Sequence, residues 1–240
     1  MKRWEKLAIA AAVVVAQGCY PFPSWPHLPE AGTCRTFAMT TWGGGAPWSE
    51  VDWTQIAIID EPMDPTWRPD SNLGDPAWVK SEMAKLRDRV AAAKATGKTV
   101  WLNWSTEEWN AVASSGEGIG CGADIVSLDS YGGVWDWEIH TRWRLDHMLR
   151  MLEPGQMMGV IPEGHYAPDW GVDWPEIDYV QINTLYFDWA LRHQNSGRIF
   201  AMAPFQWGPC DAPNKCIADM PKLAGLLADL AAKYPRCPTP

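Results

Sequence analysis

Residues 75–104 read DPAWVKSEMAKLRDRVAAAKATGKTVWLNW, a passage that holds one complete helix followed by one complete strand. Asp75 is a natural N-cap, Pro76 suits the first helical position, where an N–H has no partner anyway, and Gly97 supplies the left-handed residue that ends a helix. The spacing predicts a helix over 76–96. The run 99–104 that follows is apolar on both of its faces, as in a strand covered on each side rather than one half open to water. A similar run at 55–59 precedes the helix. Strand, helix and strand in this order make a right-handed βαβ unit with parallel strands.

The same reading extends outward to strand candidates at 36–42, 124–128, 157–161, 179–183 and 199–203, and to helices at 138–152 and 221–233. The expected fold is α/β, a TIM-type (β/α)8-like barrel that is small, incomplete or permuted, because the strand candidates number seven rather than eight. An open doubly wound sheet is the alternative, although no Gly-rich phosphate loop follows any strand.

The N-terminus reads differently. MKRWEK is basic, 7–16 is an unbroken apolar run, and small residues follow, the pattern of an export signal over 1–18 that is too short to span a bilayer. Two cuts fit: after Ala16, or before Cys19 in a lipoprotein-type Gly18-Cys19 junction, which would make a lipid anchor at Cys19 the only membrane contact. The exported product is then periplasmic, extracellular or anchored. Residues 19–33 form a Pro-rich lead-in, and the barrel domain spans 34–240. Six cysteines in an exported chain suit disulfides, with Cys210 and Cys216 placed to close a short loop. A zinc site would want a CxxC pair or nearby histidines, and neither is present.

Composition narrows the partners. A net charge of −9, with no lysine or arginine run, argues against a nucleic-acid binder, which would need a basic face. Five scattered histidines show no ligand spacing, so neither a metal nor another cofactor is expected. Tryptophan is abundant, 17 of 240 residues, more than packing alone calls for, and many lie beside loops.

In a (β/α) barrel the working surface is the C-terminal face, built from residues just after each strand. Here those are Trp42; Asp60 and Glu61; Asn103 and Trp104; Asp129 and Tyr131; Glu163 and His165; Asn183 and Tyr186; and Gln206 and Trp207. Carboxylates beside aromatics suit glycosidic chemistry, in which one acid protonates the leaving oxygen, a second carboxylate attacks or activates water, and flat rings hold sugars. A carbohydrate substrate is the expected partner.

The segments IIDEP (58–62), VWLN (100–103), ADIVSLDSY (123–131) and GVIPEG (159–164) resemble successive strand ends of the clan A glycoside hydrolases. That resemblance covers roughly 55–166. It implies that Glu61 is the acid/base, Glu163 the nucleophile of a retaining mechanism, and Tyr131 the tyrosine that supports the nucleophile. Asp60 stands where the clan has an asparagine that grips the sugar 2-hydroxyl. The strand count departs too, with one clear strand before Asp-Glu-Pro where the clan has three.

Each residue also has a plain structural reading. Glu61 can cap a turn, Glu163 can be a turn residue, Asp129 can orient a backbone amide, and a loop histidine such as His165 commonly just hydrogen-bonds. A non-catalytic sugar-binding or envelope protein would keep the aromatic cleft without a spaced carboxylate pair. A structural lipoprotein would show no contiguous aromatic groove.

Overall fold

The computed structural model describes residues 28, 30, 33–129, 133–168, 173–208 and 210–238. The export segment, Cys19, Tyr131 and Trp170 lie outside the described residues. The strands are β1 (Ala38–Met39), β2 (Ile56–Asp60), β3 (Thr99–Ser105), β4 (Ile125–Asp129), β5 (Met157–Ile161) and β6 (Ile199–Met202). The helices are α1 (Pro76–Lys94), α2 (Thr106–Ser115), α3 (Arg142–Met151), α4 (Glu176–His193) and α5 (Pro221–Lys233). The fold is α/β, with one six-stranded sheet in the order β1-β6-β5-β4-β3-β2 and every neighbouring pair parallel. The described residues supply six strands, two short of an eight-stranded barrel. The order is nevertheless that of a ring numbered along the chain and cut between β1 and β2.

Helix α1 follows from its ends: the Asp75 carboxylate accepts the Ala77 N–H at 2.9 Å, proline occupies the first turn, and Gly97 has φ +80°. The stretch 179–183, expected as a strand, lies inside α4. A short apolar run looks alike in both states, and the wider window decides: Tyr179, Ile182, Tyr186, Phe187, Ala190 and Leu191 repeat at helical spacing and are all buried. Acidic Glu176 and Asp178 in the first turn, and basic Arg192 and His193 in the last, suit the helix dipole. Helix α2 was not anticipated, although Ser105 and Glu108 form a capping box at its start.

Alternation along the strands creates two cores. Val100, Leu102 and Trp104 of β3, with Val126 and Leu128 of β4 and Val160 of β5, pack with all five helices. Trp101, Ile125, Ile161, Ala201, Ala38 and Ile56, one from each strand, form a separate cluster on the opposite face, to which no α-helix contributes among the described residues. A doubly wound sheet would carry helices on both faces, so this arrangement argues against the alternative. Trp42, after β1, lies 5.6 Å from Trp53, which precedes β2, and 5.1 Å from Trp101 of β3, on the concave face. Both edges therefore meet the same central ring, and the sheet curls around it.

The open seam is closed by the connection rather than by more strands. Glu50 plays the part of a neighbour to β1: its N–H bonds Met39 O at 2.9 Å, and its carboxylate accepts the Met39 N–H at 3.0 Å. Buried Arg35 neutralises that carboxylate at 2.5 and 2.7 Å. Trp53 stacks on Trp101 at 5.3 Å and donates its indole N–H to Thr40 Oγ1 at 2.9 Å.

Disulfides join Cys34 to Cys237 and Cys210 to Cys216, while Cys121 is a buried free thiol. The first bridge closes a separation of 203 residues and ties β1 to the chain end beside the Arg35–Pro235 and Cys237–Arg35 backbone bonds. A crosslink over so long a loop removes much of the unfolded chain's freedom. Bridges of this kind are compatible with an exported protein. No described helix is long and apolar enough to cross a membrane.

The central ring demands space. A Cβ on Gly159 of β5 would lie 2.2 Å from the Trp101 ring. Gly159→Ala should accordingly cost about 1–3 kcal/mol by overpacking, read as a lowered urea midpoint. A second substitution, Trp101→Phe, should be less harmful in the Gly159→Ala background than in the native one. Equal effects in both backgrounds would mean that the two residues do not compete for one space.

Candidate functional site

Above the tryptophan layer, the inward positions at the C-terminal ends of the strands turn polar. A chain of hydrogen bonds climbs from the core to the rim: Trp101 Nε1 donates to Ser127 Oγ at 2.7 Å, Ser127 Oγ to Asn103 Oδ1 at 2.7 Å, and Asn103 Nδ2 to Asp60 Oδ1 at 2.9 Å. Asn103 spends both ends of its amide in this chain and is buried, so its role is to aim Asp60. Ile56, two pairs of residues earlier on β2, faces the concave core, and alternation gives Asp60 the same inward direction. By the same rule Asp129 continues the face of Ile125, and Glu163 that of Ile161.

The chain leaves β2 abruptly. Glu61 has φ +38°, unusual for a residue with a side chain, and its N–H is pinned to Asn103 O at 3.0 Å. The turn puts its half-buried carboxyl at the rim nearest the start of α2, where Trp67 Nε1 donates to Oε2 at 2.6 Å. Desolvation pushes the Glu61 pKa up to about 7; the Trp67 bond opposes this, while the charges of Asp60, Asp64 and Glu107 add to it. Buried Glu108 is raised further, to about 8, chiefly by desolvation, with Glu61 and Asp64 adding repulsion. Its two oxygens take the backbone N–H groups of Met63 and Ser105, fastening the turn after Glu61 to the first turn of α2.

Glu163 is held in another way. Only 1% of it is exposed, and its Oε1 accepts the N–H of Gly164 at 3.0 Å, the N–H of His165 at 3.1 Å and His165 Nδ1 at 2.7 Å. Its Oε2 has no hydrogen-bond partner among the described residues. Asn183 Nδ2, from α4, bonds the Glu163 backbone carbonyl at 2.6 Å and Tyr179 O at 2.9 Å. Asn183 therefore fixes the loop from behind. Tyr186, one turn on, is buried against Trp137 at 5.0 Å; burial raises its phenol pKa, and the nearby carboxylates Asp129 and Glu163 raise it further.

The residues singled out in the sequence thus fall into two groups. Asp60 and Glu61 share the β2 side with Asp64, Glu107, Glu108 and Trp67, whereas Glu163, His165, Asp129, Asn183 and Tyr186 gather where β4 and β5 meet α4. Trp104 faces the helices, because alternation from inward Trp101 turns it outward, and its Nε1 bonds Ile119 O at 2.9 Å. Trp42 is buried in the concave core. Gln206 approaches the sulfurs of the Cys210–Cys216 bridge at 3.5 and 3.4 Å, and Trp207 meets Trp48 edge-on at 6.1 Å. Packing accounts for more of the tryptophans than their number suggested: Trp101, Trp109, Trp137 and Trp189 are buried too, whereas Trp67, Trp135 and Trp143 are exposed.

Just past His165, Tyr166 and Lys215 pair through their backbones at 2.7 and 2.9 Å, and with Trp174 they help to line a cavity of about 360 Å³, large enough for a small ligand. Among the described residues no group of three or more His, Cys, Asp or Glu is arranged to hold a metal ion. No family model, curated protein or solved structure matches the chain.

Glu108 and Asp64 were not among the candidates, and Trp67 stood out only as one of several tryptophans beside loops on the strand-end side, although the Ser105-x-x-Glu108 spacing was a readable sign that Glu108 lies at a helix start. Because the folded Glu108 holds its proton more tightly than an unfolded glutamate at 4.5, the native state binds more protons between pH 4.5 and about 8, and stability falls as pH rises through that window. Glu108→Gln should flatten this decline in chemical denaturation series. Glu108→Ala, which strands two backbone N–H groups, should cost about 1–3 kcal/mol. An unchanged pH slope in the Gln variant would contradict the assignment.

Proposed function

We propose that the protein is an exported carbohydrate-active hydrolase whose curled sheet is a shortened relative of the (β/α) barrel, cleaving a glycosidic bond with Glu61 as proton donor and Glu163 as the opposing carboxylate. The observation that carries this reading is the asymmetry of Glu163. One oxygen is saturated by two amides and an imidazole, while the other is buried with no hydrogen-bond partner among the described residues. An oxygen left without a partner retains its lone pairs for an electrophilic carbon that reaches it. Glu61 supplies the complement, since a pKa of about 7 keeps it protonated in mildly acidic and near-neutral solution. The two follow β2 and β5, three strands apart in one parallel sheet, which is the separation that the resemblance to clan A enzymes implies.

In the retaining form of the reaction, Glu61 gives its proton to the glycosidic oxygen as the C1–O bond breaks, and Glu163 Oε2 forms an ester with C1. Glu61, now ionised, takes a proton from water as that water attacks C1, which breaks the ester and restores both groups. His165 and the two amides hold Glu163 in place throughout, and Asp60, aimed by Asn103, is placed to bond a sugar hydroxyl.

Export rests on the basic and apolar segment over 1–18, with which the two disulfides agree. Among the described residues the bridges leave Cys121 as a free thiol. A cut before Cys19 gives a lipid-anchored protein, and a cut after Ala16 a freely exported one.

Near-complete burial of Glu163 favours a second reading, a sugar-binding protein without turnover. Reducing-sugar release from a panel of polysaccharides separates the two. The hydrolase reading predicts release by the wild type, a loss of about 10²–10⁴-fold in kcat for Glu61→Gln and at least as large a loss for Glu163→Gln. It also predicts that activity declines as pH rises through about 7, because the acid loses its proton. Saccharide binding that quenches tryptophan fluorescence without any release would establish the second reading.

A further inference from the structure

Trp67 is among the most exposed large apolar side chains, at 61%, yet its loop is firmly anchored. Asp64 O accepts the N–H groups of Trp67 at 3.1 Å and Arg68 at 2.9 Å, and Ser71 Oγ bonds Met63 O at 2.6 Å. Arg68 bridges to Glu82 at 2.7 Å and Asp70 at 2.8 Å, tying the loop to α1. The indole has one polar atom, and it is committed to Glu61 Oε2 at 2.6 Å. An aromatic face is thereby presented to solvent in a fixed orientation, one hydrogen bond from the proton donor. Packing does not explain this, since most of the ring covers nothing. A pyranose ring offers the matching surface, a flat array of C–H groups edged by hydroxyls.

We propose that Trp67 is the platform on which the sugar of the leaving group stacks, and that its N–H positions the Glu61 carboxyl toward the glycosidic oxygen. The platform belongs to the leaving-group side because that is the oxygen Glu61 must reach. The inference rests on the hydrolase reading above and adds a specificity-determining and positioning residue to it. Among the described residues Trp67 supplies the only N–H bond to the Glu61 side chain, while charge repulsion at this carboxyl comes from Asp60 of β2, Asp64 of the loop, and Glu107 and Glu108 of α2. Deleting the indole N–H therefore removes a stabiliser of the carboxylate and leaves repulsion behind.

Two substitutions separate the roles. Trp67→Phe keeps an aromatic face and loses the N–H, whereas Trp67→Ala loses both. In protein carrying ¹³Cδ-glutamate, with the Glu61 resonance identified by its absence in Glu61→Gln, Trp67→Phe should raise the Glu61 titration midpoint and carry the alkaline limb of kcat/KM upward with it. Saccharide affinity is measured in the Glu61→Gln background, where turnover is blocked and the carboxamide oxygen still accepts the indole N–H. There Trp67→Ala should weaken binding about tenfold, and Trp67→Phe much less. An unchanged titration in Trp67→Phe overturns the positioning role, and unchanged affinity in Trp67→Ala overturns the platform. Either result alongside an active wild type and an inactive Glu61→Gln leaves the hydrolase reading standing. A wild type that binds and cleaves no saccharide removes the platform with that reading, while the titration still decides the Trp67–Glu61 coupling.

Discussion

Everything above the sheet depends on how Trp101 fills the concave side. The ring is fully buried, stacked on Trp53 and met edge-on by Trp42 and Phe200, with Gly159 leaving the space it occupies. Six strands would otherwise enclose a hollow, and interiors of folded proteins are close-packed. Contributions from both edges of the sheet converge on this ring, so it sets the curl as well as filling it. Its one polar atom must also find a partner, and Ser127 provides it. From there the hydrogen bonds lead through Asn103 to Asp60, linking the apolar floor directly to the first carboxylate of the mouth.

Around that mouth, acids of one chemical type are separated by their surroundings. Glu61 and Glu108 lie among like charges in partly dry positions and hold protons into the neutral range. Glu163 instead receives three hydrogen bonds on a single oxygen, which fixes its direction. The helix layer contributes from behind: Glu108 at the start of α2 braces the turn that carries Glu61, and Asn183 of α4 braces the loop that carries Glu163.

Local signals with a single meaning were legible in the sequence. Asp75, Pro76 and Gly97 delimit α1, the helix expected at 221–233 is α5 itself, and the apolar runs that became β2 to β6 were placed within a few residues. Misreadings arose where one pattern serves two structures. The run 179–183 belongs to an 18-residue helix whose periodicity shows only over several turns. Trp104 stood at a strand end, but strand parity alone turns it away from the mouth. Missing strands are likewise a tertiary matter, since Glu50 and Trp53 seal the seam from a connection without strand pattern. In the site, the carboxylates were readable as strand-end residues, whereas the Trp67 bond to Glu61 and the capping of Glu163 Oε1 arise from turns that no spacing rule describes.

The proposed nucleophile, Glu163, would form an ester with a sugar carbon. Incubation of the mature protein with 2-deoxy-2-fluoroglycosyl fluorides, followed by peptide mass spectrometry, tests it most directly, because such reagents trap the ester of a retaining nucleophile. A single adduct is expected on the peptide bearing Glu163, absent when that residue is alanine. An adduct on another carboxylate would contradict it, as would saccharide hydrolysis that continues in the alanine variant.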